Sequence, residues 1–179
     1  MKVQIRFLIL TAVSAALAAA AVHAQQVTKQ SVTGITNFAR VETTIACGGA
    51  TKPEAIAELK KMGFAAIFNM RMASEAGADI PAEEAAAKAA GMNFIHIPYD
   101  TQKADASVAD RFLAEIRKPG NQPAYIHCAG GSRAAGMWLI KRALVDRWDV
   151  ERATTEATEL GLNNDRVKQY ALDYVKNHK

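Results

Sequence analysis

From residue 41 onward the chain alternates short apolar runs with longer stretches in which apolar residues recur at helical spacing. The runs Phe64–Met70, Asn93–Pro98 and Gln122–His127 are compact enough for buried strands, and Val41–Ala46 is β-rich enough for a short one before Cys47-Gly48-Gly49. Between them, Thr51 caps a helix with Pro53 in its first turn and Ala55, Ile56, Leu59 and Met62 on one face, ended by Gly63. Pro81 opens an alanine-rich helix that stops at Gly91, and Ala106–Arg117 forms the next, capped by Asp105 or Ser107. A Gly-rich turn then leads into a helix over Arg133–Asp146, and two more over 150–160 and 164–177 are divided by Gly161. Strands separated by helices of this length predict βαβ units. The fold class is therefore α/β, three-layer, with a mainly parallel sheet of four or five strands. Ligands bind at the carboxyl edge of such a sheet, which gathers Asn69-Met70-Arg71, Tyr99-Asp100 and Cys128 from distant parts of the chain.

The first residues follow a different rule. Lys2 and Arg6 precede an apolar stretch, Phe7–Val22, interrupted only by Thr11 and Ser14, and Val22-His23-Ala24 fits a signal-peptidase site. At 16 alanine-rich residues the stretch is shorter than the roughly 20 that a membrane helix needs. Residues 1–24 thus read as a cleaved signal peptide, 25–34 as a loose polar lead-in and 35–179 as one domain, with a periplasmic location if the source is Gram-negative. No stable membrane insertion is expected after cleavage. Lys2 and Arg6 are two of the 22 basic residues, so 20 remain against 18 acidic ones. That balance is too even and too dispersed to predict a nucleic-acid partner.

The chemistry concentrates in His127-Cys128-Ala129-Gly130-Gly131-Ser132-Arg133, at a strand-to-helix junction. The amides from Ala129 to Arg133 can curl into an anion receptor, with the helix N-terminus adding partial positive charge at the same point. Gly130 and Gly131 supply the backbone freedom such a curl needs. A thiol there is expected to ionise readily, its pKa falling from about 8.5 into the range of roughly 3.5–7.5. Arg133 brings a planar fork for two oxygens of an anion, and Ser132 is placed to hydrogen-bond the sulfur or a leaving group. Nucleophile, oxyanion receptor and clamp fit within six residues. The plain alternative is a tight turn with a buried cysteine and a solvent-facing arginine.

His127-Cys128-x-x-Gly131-x-Arg133 resembles the active loop of the cysteine-dependent phosphatase and rhodanese superfamilies. Ala46–Pro53, Leu59–Phe64, Ala66–Arg71, Glu75 and Gly91–Pro98 then follow in the order seen in bacterial dual-specificity-phosphatase-like domains. Together they are most similar to the phosphatase-like domain of the beta-lactamase-hydrolase-like proteins, over about residues 35–162. The resemblance implies a dual-specificity-phosphatase-like fold and a hydrolase in which Cys128 attacks phosphorus, Arg133 and the loop amides hold the oxyanions, and His127 orients the loop. It further implies that Asp100, on the loop after strand Asn93–Pro98, is the general acid. Asp105 is the other carboxylate in range, although capping the next helix is its simpler role.

Two departures point elsewhere. Four residues separate Cys128 from Arg133, where tyrosine phosphatases have five, and Ala134 follows the arginine, where many phosphatases have Ser or Thr. The shorter loop is the rhodanese length, so a sulfurtransferase carrying a Cys128 persulfide is the alternative, and a non-enzymatic anion or redox sensor is the third. The substrate is accordingly a phosphorylated or sulfur-bearing small molecule or protein. No cofactor is expected, and no metal, because His96 and His178 have no ligand spacing with other residues. Arg71 either steers anions or pairs with Glu75. Cys47 is either a small buried residue or, in an oxidising compartment, a partner for Cys128 in a reversible disulfide. Trp138, Met137, Ile140 and Leu144 form the buried face of the active-loop helix.

Overall fold

A computed structural model describes residues 26–41 and 43–179; the expected signal peptide lies outside these residues. The chain runs β1 (Val27–Lys29), β2 (Ala39–Val41), β3 (Ile45–Gly48), a 3-10 turn (Pro53–Ala55), α1 (Ile56–Lys61), β4 (Ala66–Asn69), α2 (Ile80–Ala89), β5 (Asn93–His96), α3 (Ala106–Ile116), β6 (Ala124–His127), α4 (Ser132–Leu144), α5 (Val150–Glu159) and α6 (Asp165–His178). One sheet takes the order β1-β2-β3-β6-β4-β5. Its β3, β6, β4 and β5 are parallel, with Cys47 opposite Ile126, Phe68 opposite Ile126 and Ile95 opposite Phe68.

The parallel strands are covered on both faces, which is why they read as continuous apolar runs rather than alternating ones. Ala46, Ile67 and Tyr125 point to one side and pack with Ile56, Leu59 and Ala87 of α1 and α2. Cys47, Phe68 and Ile126 point to the other and pack with Phe112 of α3, Met137 and Trp138 of α4, Ala153 of α5 and Val167 of α6. Helix α4 lies closest to the centre: Met137, Trp138 and Ile140 are buried as expected, and Leu144 is half-buried.

Three local expectations are corrected. The sheet has six strands because the polar lead-in contributes β1, an edge strand paired antiparallel with β2 (Val27 opposite Val41). Its side chains are largely exposed, so it carries no apolar signal. The single strand expected over Val41–Ala46 is divided: Val41 ends β2 and Ile45 and Ala46 open β3, and the two strands pair antiparallel with Val41 opposite Ile45. Thr51 does not cap α1. Its hydroxyl is buried, donates to Gly49 O at 3.1 Å and shares a hydrogen bond with Tyr125 Oη at 2.7 Å, and so ties the β3 end to β6. Acidic and amide side chains cap four other helices, Asp105 among them as expected. Asp79 accepts from the Ala82 N–H, Asp105 from Ser107, Asp149 from Glu151 and Asn164 from Val167.

Candidate active site

Strands β3, β4, β5 and β6 end together at Gly48, Asn69, His96 and His127, and the active loop begins one residue beyond β6. The Cys128 N–H donates to Gly48 O at 3.2 Å, extending the ladder by one rung before the chain turns. Gly131 takes φ +107°, a left-handed conformation that glycine adopts without a Cβ penalty, and serves as N-cap of α4. Its N–H donates to Cys128 Sγ at 3.0 Å. The sulfur therefore sits at the N-terminus of a 13-residue helix, where the helix dipole is positive, and receives a backbone donor. Cys128 is only 2 % exposed, but it forms part of the floor of a pocket of about 530 Å³. That pocket is lined also by Glu75, Tyr99, Asp100, Ser132, Arg133 and Asn163.

Arg133 is held by four hydrogen bonds. Its Nη1 donates to Met70 O (3.0 Å), Tyr99 O (2.9 Å) and Glu75 Oε1 (2.6 Å), and Nη2 donates to Glu75 Oε2 (2.8 Å). The fork is thus braced against the ends of two other strands and paired bidentately with a carboxylate. Burial pulls the Arg133 pKa down, but the bond to Glu75 and the proximity of Cys128 more than offset it and raise it. Burial likewise pushes Glu75 up, yet hydrogen bonds from Arg133 and the Met72 N–H bring it below the usual carboxylate range. Arg71 does not face the pocket. Its Nε meets Glu75 Oε2 at 3.4 Å while its two other nitrogens hold Gly77 O and Ala76 O, so it shapes the 72–78 loop that presents Glu75. Of its two expected roles, the ion pair is the one observed.

Asp100 lines the same pocket as Cys128 and Arg133. One carboxylate oxygen accepts the Gln102 N–H at 2.8 Å, fixing the side chain in a turn of its own loop. Asp105 is spent on capping α3, and its hydrogen bonds with Ser107 lower its pKa. Ser132 differs from expectation: its hydroxyl oxygen accepts from the Asn163 N–H (3.2 Å) and the Asn164 N–H (3.1 Å), docking the α5–α6 turn onto the loop. Cys47 is fully buried on β3, and burial, followed by the proximity of Cys128, raises its thiol pKa well above the ordinary value. Both cysteines are free thiols.

Sequence reasoning placed Asn69 at the ligand edge without a role and did not identify Glu83. Glu83 is 1 % exposed on α2, and its Oε2 accepts from Asn69 Nδ2 at 2.8 Å. The same oxygen lies 3.0 Å from His127 Nε2, within ion-pair reach but off the line of a hydrogen bond. His127 stacks on Tyr125 (5.5 Å, 7°), and its carbonyl accepts the Met70 N–H at 2.9 Å. Asn69 Oδ1 in turn accepts the Arg71 N–H at 2.8 Å. This buried polar group sets the floor beneath the active loop. Replacing Glu83 by alanine leaves Asn69 Nδ2 without its acceptor and removes the carboxylate beside His127, and about 2–4 kcal/mol of stability is expected to be lost. Urea unfolding monitored by circular dichroism measures it; a loss under about 0.5 kcal/mol shows the group to be unimportant.

The mainly parallel α/β sheet, with Cys128 on the loop from β6 into α4, has the architecture of the cysteine-dependent phosphatases. A profile of the family "Beta-lactamase hydrolase-like protein, phosphatase-like domain" matches residues 37–145, and the chain belongs to that family. No curated protein sequence matches. Among solved structures, the DUF442 protein of Shewanella putrefaciens CN-32 aligns with TM-score 0.67 at 18 % identity, over 82 % of this chain and 93 % of that one. TpbA of P. aeruginosa in complex with pTyr aligns with TM-score 0.63 at 17 % identity, over 84 % and 90 %. The core catalytic domain of the PP-IP phosphatase SIW14 of S. cerevisiae aligns with TM-score 0.63 at 18 % identity, over 80 % and 88 %. At these identities the likeness is one of fold, which agrees with the architecture expected from the sequence. Among the described residues, no helix is long and apolar enough to cross a membrane.

Proposed function

We propose that the protein is an exported, cysteine-dependent phosphatase acting on a phosphorylated small molecule or protein. The observation that carries this reading is the meeting of Cys128, Arg133 and Asp100 around one pocket, with the Gly131 N–H on the sulfur. The Cys128 thiolate attacks phosphorus, and the ester oxygen departs with a proton from Asp100. Water then attacks the phosphocysteine, returning the thiolate and releasing phosphate; Asp100, now ionised, takes the proton of that water. The loop amides and the part of the Arg133 fork not engaged by Glu75 stabilise the equatorial oxygens. Export rests on the N-terminal pattern of residues 1–24, and phosphate as the transferred group is supported by the family and by neighbours such as TpbA with pTyr.

Sulfur transfer is the second reading, and the four-residue interval between Cys128 and Arg133 favours it. In that chemistry the thiolate takes the outer sulfur of thiosulfate, releases sulfite and hands the persulfide sulfur to an acceptor such as cyanide. Phosphate release from an aryl phosphate, compared with thiocyanate formation from thiosulfate and cyanide, separates the two. Dominant thiocyanate formation removes the phosphatase reading, whereas anion binding with neither activity leaves a sensor. Asp100→Asn adds a finer discrimination. It is expected to lower kcat about 100-fold on an alkyl phosphate, less on a nitrophenyl phosphate whose leaving group needs no proton, and not at all on sulfur transfer. Equal rates of wild type and variant on the alkyl ester exclude Asp100 as the acid.

A further inference from the structure

The bonds on the outside of the active loop determine what faces inward. A trans peptide holds its C=O antiparallel to the N–H of the next residue, so a carbonyl pinned outside a loop turns the following N–H inside. Two loop carbonyls are pinned in this way. Ala129 O accepts the Ala50 N–H at 2.8 Å, and Gly130 O accepts from Nδ2 of Asn37 at 3.1 Å, across 93 positions of sequence. The second bond fixes the Gly130–Gly131 peptide, and the N–H of that peptide is the one that meets Cys128 Sγ at 3.0 Å.

Asn37 is itself firmly placed. Its φ of +52° lies in the left-handed region, which asparagine tolerates better than other side chains with a Cβ. On one side, Thr36 O accepts the Gly49 N–H at 2.7 Å and the Thr36 N–H donates to Ala50 O at 3.1 Å, binding the turn to the end of β3. On the other, Phe38 is 2 % exposed and stacks on Tyr125 of β6 (5.9 Å, 19°). A backbone held on both sides delivers the amide to one spot.

We propose that Asn37 is a positioning residue of the active site, whose side-chain amide locks the Gly130–Gly131 peptide with its N–H turned onto Cys128 and into the anion cradle. It acts through that peptide without touching substrate. The inference deepens the phosphatase reading and rests on it for turnover, but the geometry of the loop is independent of which anion is processed.

Two variants test it. Asn37→Gly keeps the positive φ and deletes the donor; Asn37→Asp keeps the side-chain shape and sets an acceptor against Gly130 O. The probes are the rate of Cys128 carboxymethylation by iodoacetate at neutral pH, read by peptide mass spectrometry, and the affinity for inorganic phosphate by calorimetry. In Asn37→Gly both are expected to fall about fivefold, with the melting temperature moving by about 2 °C or less, and in Asn37→Asp both fall further. On an aryl phosphate, kcat/KM falls by a similar factor. Unchanged alkylation and phosphate affinity in the two variants would overturn the proposal. A protein without phosphatase turnover, whose alkylation and anion binding still drop in the variants, retires the phosphatase reading and leaves the role of Asn37 standing.

Discussion

Cys128→Ser is expected to lower turnover by about 10⁴-fold or more while leaving the fold in place. The serine hydroxyl fits the space of the thiol and accepts the Gly131 N–H that the sulfur accepts at 3.0 Å. What it lacks is the intrinsic nucleophilicity of sulfur, which an alcohol does not match. Ser132, beside Arg133, does not stand in for the thiol, because its oxygen is committed to Asn163 and Asn164. Steady-state rates on an aryl phosphate and on thiosulfate, with thermal melts of both proteins, check the result. A variant that keeps wild-type rates in whichever assay the native protein supports removes Cys128 from the mechanism. Cys47→Ser is the contrasting control. That thiol is fully buried and its pKa is raised, so its replacement should reduce stability with little effect on rate.

The parallel half of the fold was legible because each strand there is buried on both faces and each helix has its own punctuation. Gly63, Gly91 and Gly161, all at positive φ, mark helix ends as expected, and Cys128 falls at the strand-to-helix junction the pattern demanded. The antiparallel edge was not legible. Val27–Lys29 is a strand because Ala39–Val41 offers it a ladder, and that long-range pairing leaves no periodicity in a short, exposed segment. The site divides along the same line. Cys128 and Asp100 are chemically distinctive residues beyond strand ends, so a topological rule was enough to bring them together, and Arg133 follows Cys128 into the first turn of α4. Thr51 looked like a cap because a hydroxyl before a proline usually is one; its partner, Tyr125 Oη, lies 74 residues away. Glu83 was hidden for a related reason. A carboxylate on an alanine-rich helix reads as its solvent face, and only the docking of α2 over β4 and β6 shows that it meets Asn69 and His127.

Arg133→Ala is expected to lower kcat/KM for phosphate release by about 10³–10⁴-fold, and Arg133→Lys to be nearly as damaging. The loss has two parts. One is the missing donor fork in the transition state. The other comes from Glu75, which pairs with Arg133 through both oxygens and itself lines the pocket. Without the guanidinium its carboxylate faces the incoming anion with the Met72 N–H at 2.8 Å and Arg71 at 3.4 Å still beside it. A lysine ammonium cannot hold Met70 O, Tyr99 O and both Glu75 oxygens at once, because it is a point charge with three donors. Arg133→Lys combined with Glu75→Gln should therefore recover phosphate affinity relative to Arg133→Lys alone. Failure to recover any would show that Glu75 opposes nothing in the pocket. Stability gives an independent reading. A carboxylate whose pKa is lowered on folding stabilises the native state above its unfolded pKa, and that contribution is lost as pH falls through the lowered value. Arg133 supplies much of what lowers Glu75. In Arg133→Ala the native pKa of Glu75 moves up towards its unfolded value, so the contribution shrinks and its loss on acidification is complete at higher pH. Urea midpoints followed from neutral pH through the carboxylate range should show a smaller acid-dependent loss in the variant, complete at higher pH, and coincident limbs would disprove the coupling.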